Sequence, residues 1–128
     1  MLIFDGDYPM SYGAVDLDRD LTASIEEVFT ASPGQTIQTG WPDDQTMATL
    51  PEMRKGHVAG ALVKVVGRIR KSDNIIWGYR TADIAYAMAH AHLAYYRILE
   101  ARGELRILST SKIFRDHMAE WEAAEDHT

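Results

Sequence analysis

The stretch Val58-Ala-Gly-Ala-Leu-Val-Lys-Val-Val66 decides the fold class. It runs for nine residues with Lys64 as its one charge. A short, nearly continuous apolar run is the pattern of a strand buried on both faces, as in parallel sheets covered by helices. The expectation is a central, mostly buried strand over 58–66, paired in parallel with Leu2-Ile-Phe4. The pairing is parallel because a long helical connection separates the two runs. Leu2–Phe4 stops at Asp5-Gly6-Asp7-Tyr8-Pro9, a strong turn signal that reads as an acidic loop.

Outward from these strands the pattern is helical. Ser24 with Glu27 fits a capping box opening a helix over 24–31, with Ile25, Val28 and Phe29 on one face. Residues 33–46 are rich in Gly, Pro, Gln, Thr and Asp and read as a loop. Thr49-Leu-Pro-Glu52 predicts a second capping box and a short helix that Gly56 stops. Residues 67–80 read as a loop. The longest helix spans 81–102, with Thr81 as cap and Ile84, Met88, Ala91, Tyr95 and Leu99 as its apolar stripe. Leu105–Leu108 reads as a short strand. A last helix over 111–124 sets Ile113, Phe114, His117, Met118 and Trp121 on one face. The order strand, helix, helix, strand, helix, strand, helix argues for α/β. So few strands make a small sheet with exposed edges, and the last helix has no following strand to cover its apolar face. The expectation is that residues 1–128 are a single incomplete domain, a piece of something larger.

Composition narrows the function classes. The 128 residues carry 13 Lys+Arg against 19 Asp+Glu, a formal net charge of -6. That sign disfavours nonspecific nucleic-acid binding, which needs clustered cations. No apolar run approaches the roughly 18–20 residues that span a bilayer. The absence of cysteine removes disulfides, Cys-type zinc sites and thiol nucleophiles. A cytoplasmic protein without nucleic-acid or membrane partners is expected.

Several clusters invite a chemical reading. Asp16, Asp18, Asp20 and Glu27 partly match a calcium loop, but Leu21 stands where the sharp turn needs glycine, so an acidic surface turn is preferred. His90 and His92 are two apart, which points them about 200° from each other on a helix. Ligation by both is disfavoured, with one facing solvent and the other packed. His117 reads as a packed or hydrogen-bonded histidine, His57 as the opening of a strand at a turn, and His127 as part of a frayed tail. Lys64, Arg68, Arg70, Lys71 and Arg80, with Trp77 and Tyr79 nearby, concentrate positive charge where a carboxylate could bind, although a solvated loop is the preferred reading. Asp5-Gly6-Asp7 follows the first strand, where carboxylates hold divalent metals, and turn chemistry also accounts for it.

Three stretches are more specific when taken in order: Ile3-Phe-Asp-Gly-Asp-Tyr-Pro-Met10 with Tyr12-Gly-Ala-Val-Asp-Leu17; Arg80-Thr-Ala-Asp-Ile-Ala-Tyr86; and Leu93-Ala-Tyr-Tyr-Arg97 through Ile107-Leu108 to Glu120-Trp-Glu122. Together they resemble the N-terminal part of bacterial members of the membrane dipeptidase (renal dipeptidase) family. The resemblance runs over essentially the whole chain and about the first third of such a protein. It implies an amidohydrolase-type (β/α)8 TIM barrel, of which this chain would hold the first strands and helices only. It also implies two-metal hydrolysis of dipeptides, with zinc the usual divalent metal. The family's first strand usually ends Asp-Gly-His-Asn-Asp, with the His and the last Asp as ligands. Here Asp5-Gly6 match, Asp7 stands at the histidine position, and Pro9 stands at the second. Asp7 is therefore the one candidate metal ligand. The family's bridging glutamate and later histidines fall beyond these residues.

The leading expectation is a fragment of a metal-dependent dipeptidase-type hydrolase, inactive alone, marginally stable or self-associating, with a dipeptide as the substrate of the full-length family. The alternative is a small non-catalytic α/β binding or dimerisation module. A third reading is a small enzyme that uses Asp5 or Asp7 with a divalent metal.

Overall fold

Two parallel strands form the one sheet found among the described residues. The structure, a computed structural model, describes residues 1–31, 48–70 and 78–124. The loop expected over 33–46, together with Lys71, Trp77 and His127, lies outside the described residues. Strand β1 is Ile3–Tyr8 and strand β2 is Val58–Val63. They pair with Ile3 opposite Val58, Phe4 opposite Gly60, Asp5 opposite Ala61 and Tyr8 opposite Val63. Between them run α1 (Met10–Val15), α2 (Ile25–Ala31) and α3 (Leu50–Lys55), and after them α4 (Ala82–Ala101) and α5 (Ser111–Ala123). Among the described residues this is a mixed α/β arrangement of one two-stranded parallel sheet and five helices.

Local chemistry explains most of the boundaries. The Ser24 hydroxyl accepts from the Glu27 N–H, and Glu27 Oε2 accepts from the Ser24 N–H and hydroxyl, so the capping box opening α2 is complete. Thr81 accepts from the Ile84 N–H at the start of α4, and Thr110 does the same for Ile113 at the start of α5. Gly103, with φ of 79°, ends the turn after α4, where the left-handed region favours glycine.

Several sequence expectations are corrected. Thr49 precedes α3 but makes no side-chain cap; it is fully buried, and Glu52 pairs with Lys55 instead. Residues 10–15, to which the sequence reading assigned no element, are helical, with Met10 and Ser11 at the start of α1 drawn into the interior. β2 ends at Val63 rather than Val66, and it is not buried on both faces. Only Ala59 is buried, while Leu62 and Val65 are 61% and 48% exposed, because no third strand lies beside it among the described residues. Leu105–Leu108 is not a strand. The Glu100 carboxylate accepts the Ile107 N–H at 2.7 Å and Arg54 donates to the Glu104 carbonyl, so side chains satisfy backbone groups that a ladder would use. The buried stripe of α4 is Ala85, His92, Tyr96 and Leu99, one helical step from the expected stripe, and Ile84 is 47% exposed. Leu99 belongs to both.

The core gathers Met10, Leu21, Leu50, Tyr96 and Leu99, with Tyr8, Met53, Leu105 and Ile107 packed on it. On the other side α5 stays shallow, with no fully buried residue. It touches the sheet through an edge-to-face contact of Phe114 with Phe4 at 5.9 Å and a 2.7 Å hydrogen bond from His117 Nε2 to the Ala59 carbonyl. An open groove of about 1060 Å³ remains between β2, α5 and residues 103–108, lined mainly by apolar side chains such as Val63, Leu105, Ile107 and Trp121.

Where the chain leaves β2, Gly67 lies against the backbone of α4. A Cβ there would sit 2.6 Å from the Ala85 carbonyl oxygen, an atom the helix cannot move away. Gly67→Ala is expected to destabilise the chain by ~1–3 kcal/mol. Gly6→Ala, whose Cβ would meet nothing within 4 Å, serves as the comparator. Denaturant unfolding of both variants checks this, and equal stabilities would refute it.

Candidate functional site

Both strands end on the same side of the sheet, and two sequence candidates meet there. Lys64 follows β2 directly, and its ammonium pairs with the Asp7 carboxylate at the end of β1. Its N–H donates to the Tyr8 carbonyl at 3.2 Å, which extends the strand pairing by one step. Asp5 Oδ1 accepts the Asp7 N–H at 3.0 Å within β1, so the stretch expected as an acidic loop is strand as far as Tyr8. Asp7 and Lys64 are both exposed, so their pair is a solvated one of small energetic weight.

The other candidates are dispersed. Arg68, Arg70 and Arg80 are exposed. Arg68 and Arg70 flank Ile69, which bridges to Tyr79 through backbone hydrogen bonds of 2.8 Å. His90 is exposed on α4 against Tyr86, while His92, two positions on, is fully buried. His57 follows α3 with φ of 57°, and its carbonyl accepts the Ile3 N–H. The acidic run of 16–27 divides among separate tasks. Asp20 binds the Thr22 hydroxyl and N–H, which holds its carboxyl below the ordinary value, and Glu27 serves the α2 cap.

Beneath the strand ends lies an array the sequence reading missed. His92 and Ser11 are each 0% exposed, and the Asp16 side chain is 5% exposed. His92 Nδ1 stands 2.8 Å from Ser11 Oγ, and His92 Nε2 stands 3.0 Å from Asp16 Oδ2. The second contact is short but poorly aligned as a hydrogen bond, and neither atom has another partner. The Tyr79 hydroxyl donates to Asp16 Oδ1 at 2.8 Å. Ser11 Oγ is 3.2 Å from the Lys64 carbonyl, to which the Tyr96 hydroxyl donates at 3.1 Å. The same Tyr96 oxygen accepts the Ser11 N–H at 3.0 Å. α1, α4, the end of β2 and the 69–79 bridge are therefore joined by one set of polar side chains.

The composition is Ser, His and Asp, the set that activates a nucleophile in many hydrolases. The burial rules out that role in this conformation, because no substrate atom reaches Ser11 Oγ. The chemistry the array performs is internal: Ser11, Tyr79, Tyr96 and His92 Nδ1 are hydrogen-bonded within it, and His92 Nε2 and Asp16 Oδ2 face each other. One signal in the sequence could have found it. His92 falls seven residues after Ala85 and four before Tyr96, so a stripe drawn through the small and aromatic residues of α4 includes it.

The carboxylate of Asp7, the candidate metal ligand, faces the Lys64 ammonium; Pro9 offers no side-chain donor, and no group of three or more His, Cys, Asp or Glu gathers among the described residues. No helix is long and apolar enough to cross a membrane. Comparison with protein families, with curated proteins and with solved structures finds no match to this chain.

Three phenols are shifted in the same direction. Burial first, then the hydrogen bond to Asp16 and its charge, push Tyr79 far above its ordinary value. Burial also raises Tyr8, with Tyr96 and Asp5 adding to it, and raises Tyr95, with Asp20 adding. A phenol raised on folding binds its proton more tightly in the folded state. Its contribution is complete below the unfolded value near pH 10 and is lost as pH climbs toward the folded one. Denaturant midpoints are therefore expected to fall above about pH 10. Tyr79→Phe is expected to make that fall shallower, and an unchanged slope would show that Tyr79 does not carry it.

Proposed function

We propose that this chain is the N-terminal strand-and-helix portion of a dipeptidase-type hydrolase built as a (β/α)8 barrel. The observation that carries the reading is the parallel β1–β2 pair, joined through helices and followed by two more, with an apolar groove open along β2. Parallel strands with helical crossovers are the unit from which such barrels are assembled, and their substrates bind at the strand C-terminal ends. Asp7 and Lys64 occupy that position here. The stretches from Ile3 to Glu122 that resemble the dipeptidase family add the substrate class, a dipeptide. In full-length relatives divalent metals, usually zinc, supply the hydrolytic chemistry. The residues at hand do not complete such a site, so no step is assigned to them. The contribution of this portion is architectural: it shapes one sector of the binding face and sets an ammonium and a carboxylate there. A cytoplasmic setting belongs to the same proposal and rests on the cysteine-free, acidic composition.

The groove also favours a second reading, a non-catalytic module that binds or dimerises through its open apolar side. Two measurements separate them. The purified 128-residue chain, given zinc and a dipeptide, is expected to hydrolyse no more than buffer does. Activity that disappears in Asp7→Ala would mean that the chain carries its own site. The coding sequence after the Thr128 codon is expected to continue in frame into a strand bearing a Met-Glu-Gly-like segment. A stop codon there, with a monodisperse dimer in light scattering, would favour the module.

A further inference from the structure

We infer that His92 is a positioning residue for the carboxyl end of β2, holding its Nε2 proton on Asp16 and its Nδ1 on Ser11. The inference concerns the chain's own architecture and stands whichever reaction it serves. It follows from counting protons around a side chain with no solvent exposure. His92 is fully buried, so each ring nitrogen must find its partner among the side chains around it. Nε2 faces a carboxylate oxygen at 3.0 Å. Two bare acceptors at that distance repel, so a proton lies between them, and we assign it to the imidazole. Asp16 Oδ1 is already satisfied by the Tyr79 hydroxyl.

The other nitrogen then determines what Ser11 does. Its hydroxyl has one proton and two acceptors in reach, His92 Nδ1 at 2.8 Å and the Lys64 carbonyl at 3.2 Å. Tyr96 also donates to that carbonyl, so Ser11 can turn to a bare Nδ1 without leaving Lys64 unbonded. If Nδ1 carries a second proton it donates to Ser11 Oγ, and the hydroxyl turns to Lys64. Both arrangements use the same heavy-atom positions. In both, Nε2–H stays on Asp16, and Ser11 stays clamped between the ring and Lys64, the residue that follows β2. The imidazole thereby links the end of α1 to the point where Lys64 leaves the sheet toward Asp7.

Imidazole nitrogen–proton correlation spectra of the whole chain test the first half. A slowly exchanging proton on Nε2 is expected, with or without a second on Nδ1. A bare Nε2 overturns the inference. Amide exchange at Lys64, whose N–H pairs with the Tyr8 carbonyl, tests the second half. Ser11→Ala is expected to speed that exchange about three- to tenfold, the equivalent of one neutral hydrogen bond, while the Ile113 amide in α5 is unchanged. His92→Gln presents an amide N–H and a carbonyl oxygen in similar places and is expected to stay near the parent rate, whereas His92→Leu is not. Should His92→Leu fail to fold, Ser11→Ala decides. An unchanged Lys64 rate in Ser11→Ala, or equal acceleration at Lys64 and Ile113, overturns the positioning role.

Discussion

An imidazole with no exposure to water is the constraint around which the described residues are arranged. Burying His92 is tolerable only if both nitrogens are engaged, and the two engagements come from α1: Ser11 near its start and Asp16 just after its end. That requirement fixes α1 against α4 in position and rotation. Asp16 in turn holds Tyr79, and Ser11 and Tyr96 reach the Lys64 carbonyl. Removing one member of such a network costs more than the lost bond, because the remaining groups stay buried without partners. The apolar contacts of Met10, Leu50, Tyr96 and Leu99 supply bulk stabilisation. The polar array specifies which face of α4 turns inward.

That division of labour explains what the sequence disclosed. Ser24 with Glu27 and Thr81 with Ile84 are pairs three residues apart, so their caps could be read directly. The β1–β2 pairing was legible because both runs are apolar and a long connection separates them. The Ser11–His92 and Asp16–Tyr79 contacts span 81 and 63 positions, and no local pattern encodes them. The stripe of α4 was misplaced by one step for the same reason. Ile84 is more apolar than Ala85 and His92, yet the inward face was set by hydrogen bonding as well as by hydrophobicity. Leu105–Leu108 has strand composition, but Glu100 and Arg54 claim the Ile107 N–H and the neighbouring Glu104 carbonyl, and the His117 side chain binds the Ala59 carbonyl of β2, 58 positions away.

The candidate site was legible only in part. Lys64 does stand beside Asp7, but Asp5-Gly6-Asp7 lies within β1 rather than in a loop after it. The sequence could not say that the carboxylate would be met by an ammonium of its own chain, since that depends on the register between the strands. A one-residue slip would place Lys64 on the other face.

The parallel pairing also sets an order of events during synthesis. Ile3 meets Val58 across an interval of 58 − 3 = 55 residues, so β1 has no sheet partner until β2 has been made. At ribosomal rates of about 5–20 residues per second, that interval lasts on the order of several seconds. Helices close within microseconds of emerging, but this sheet must wait and then close a long loop. Throughout that wait Ile3 and Phe4 remain an apolar run without the strand they pair with.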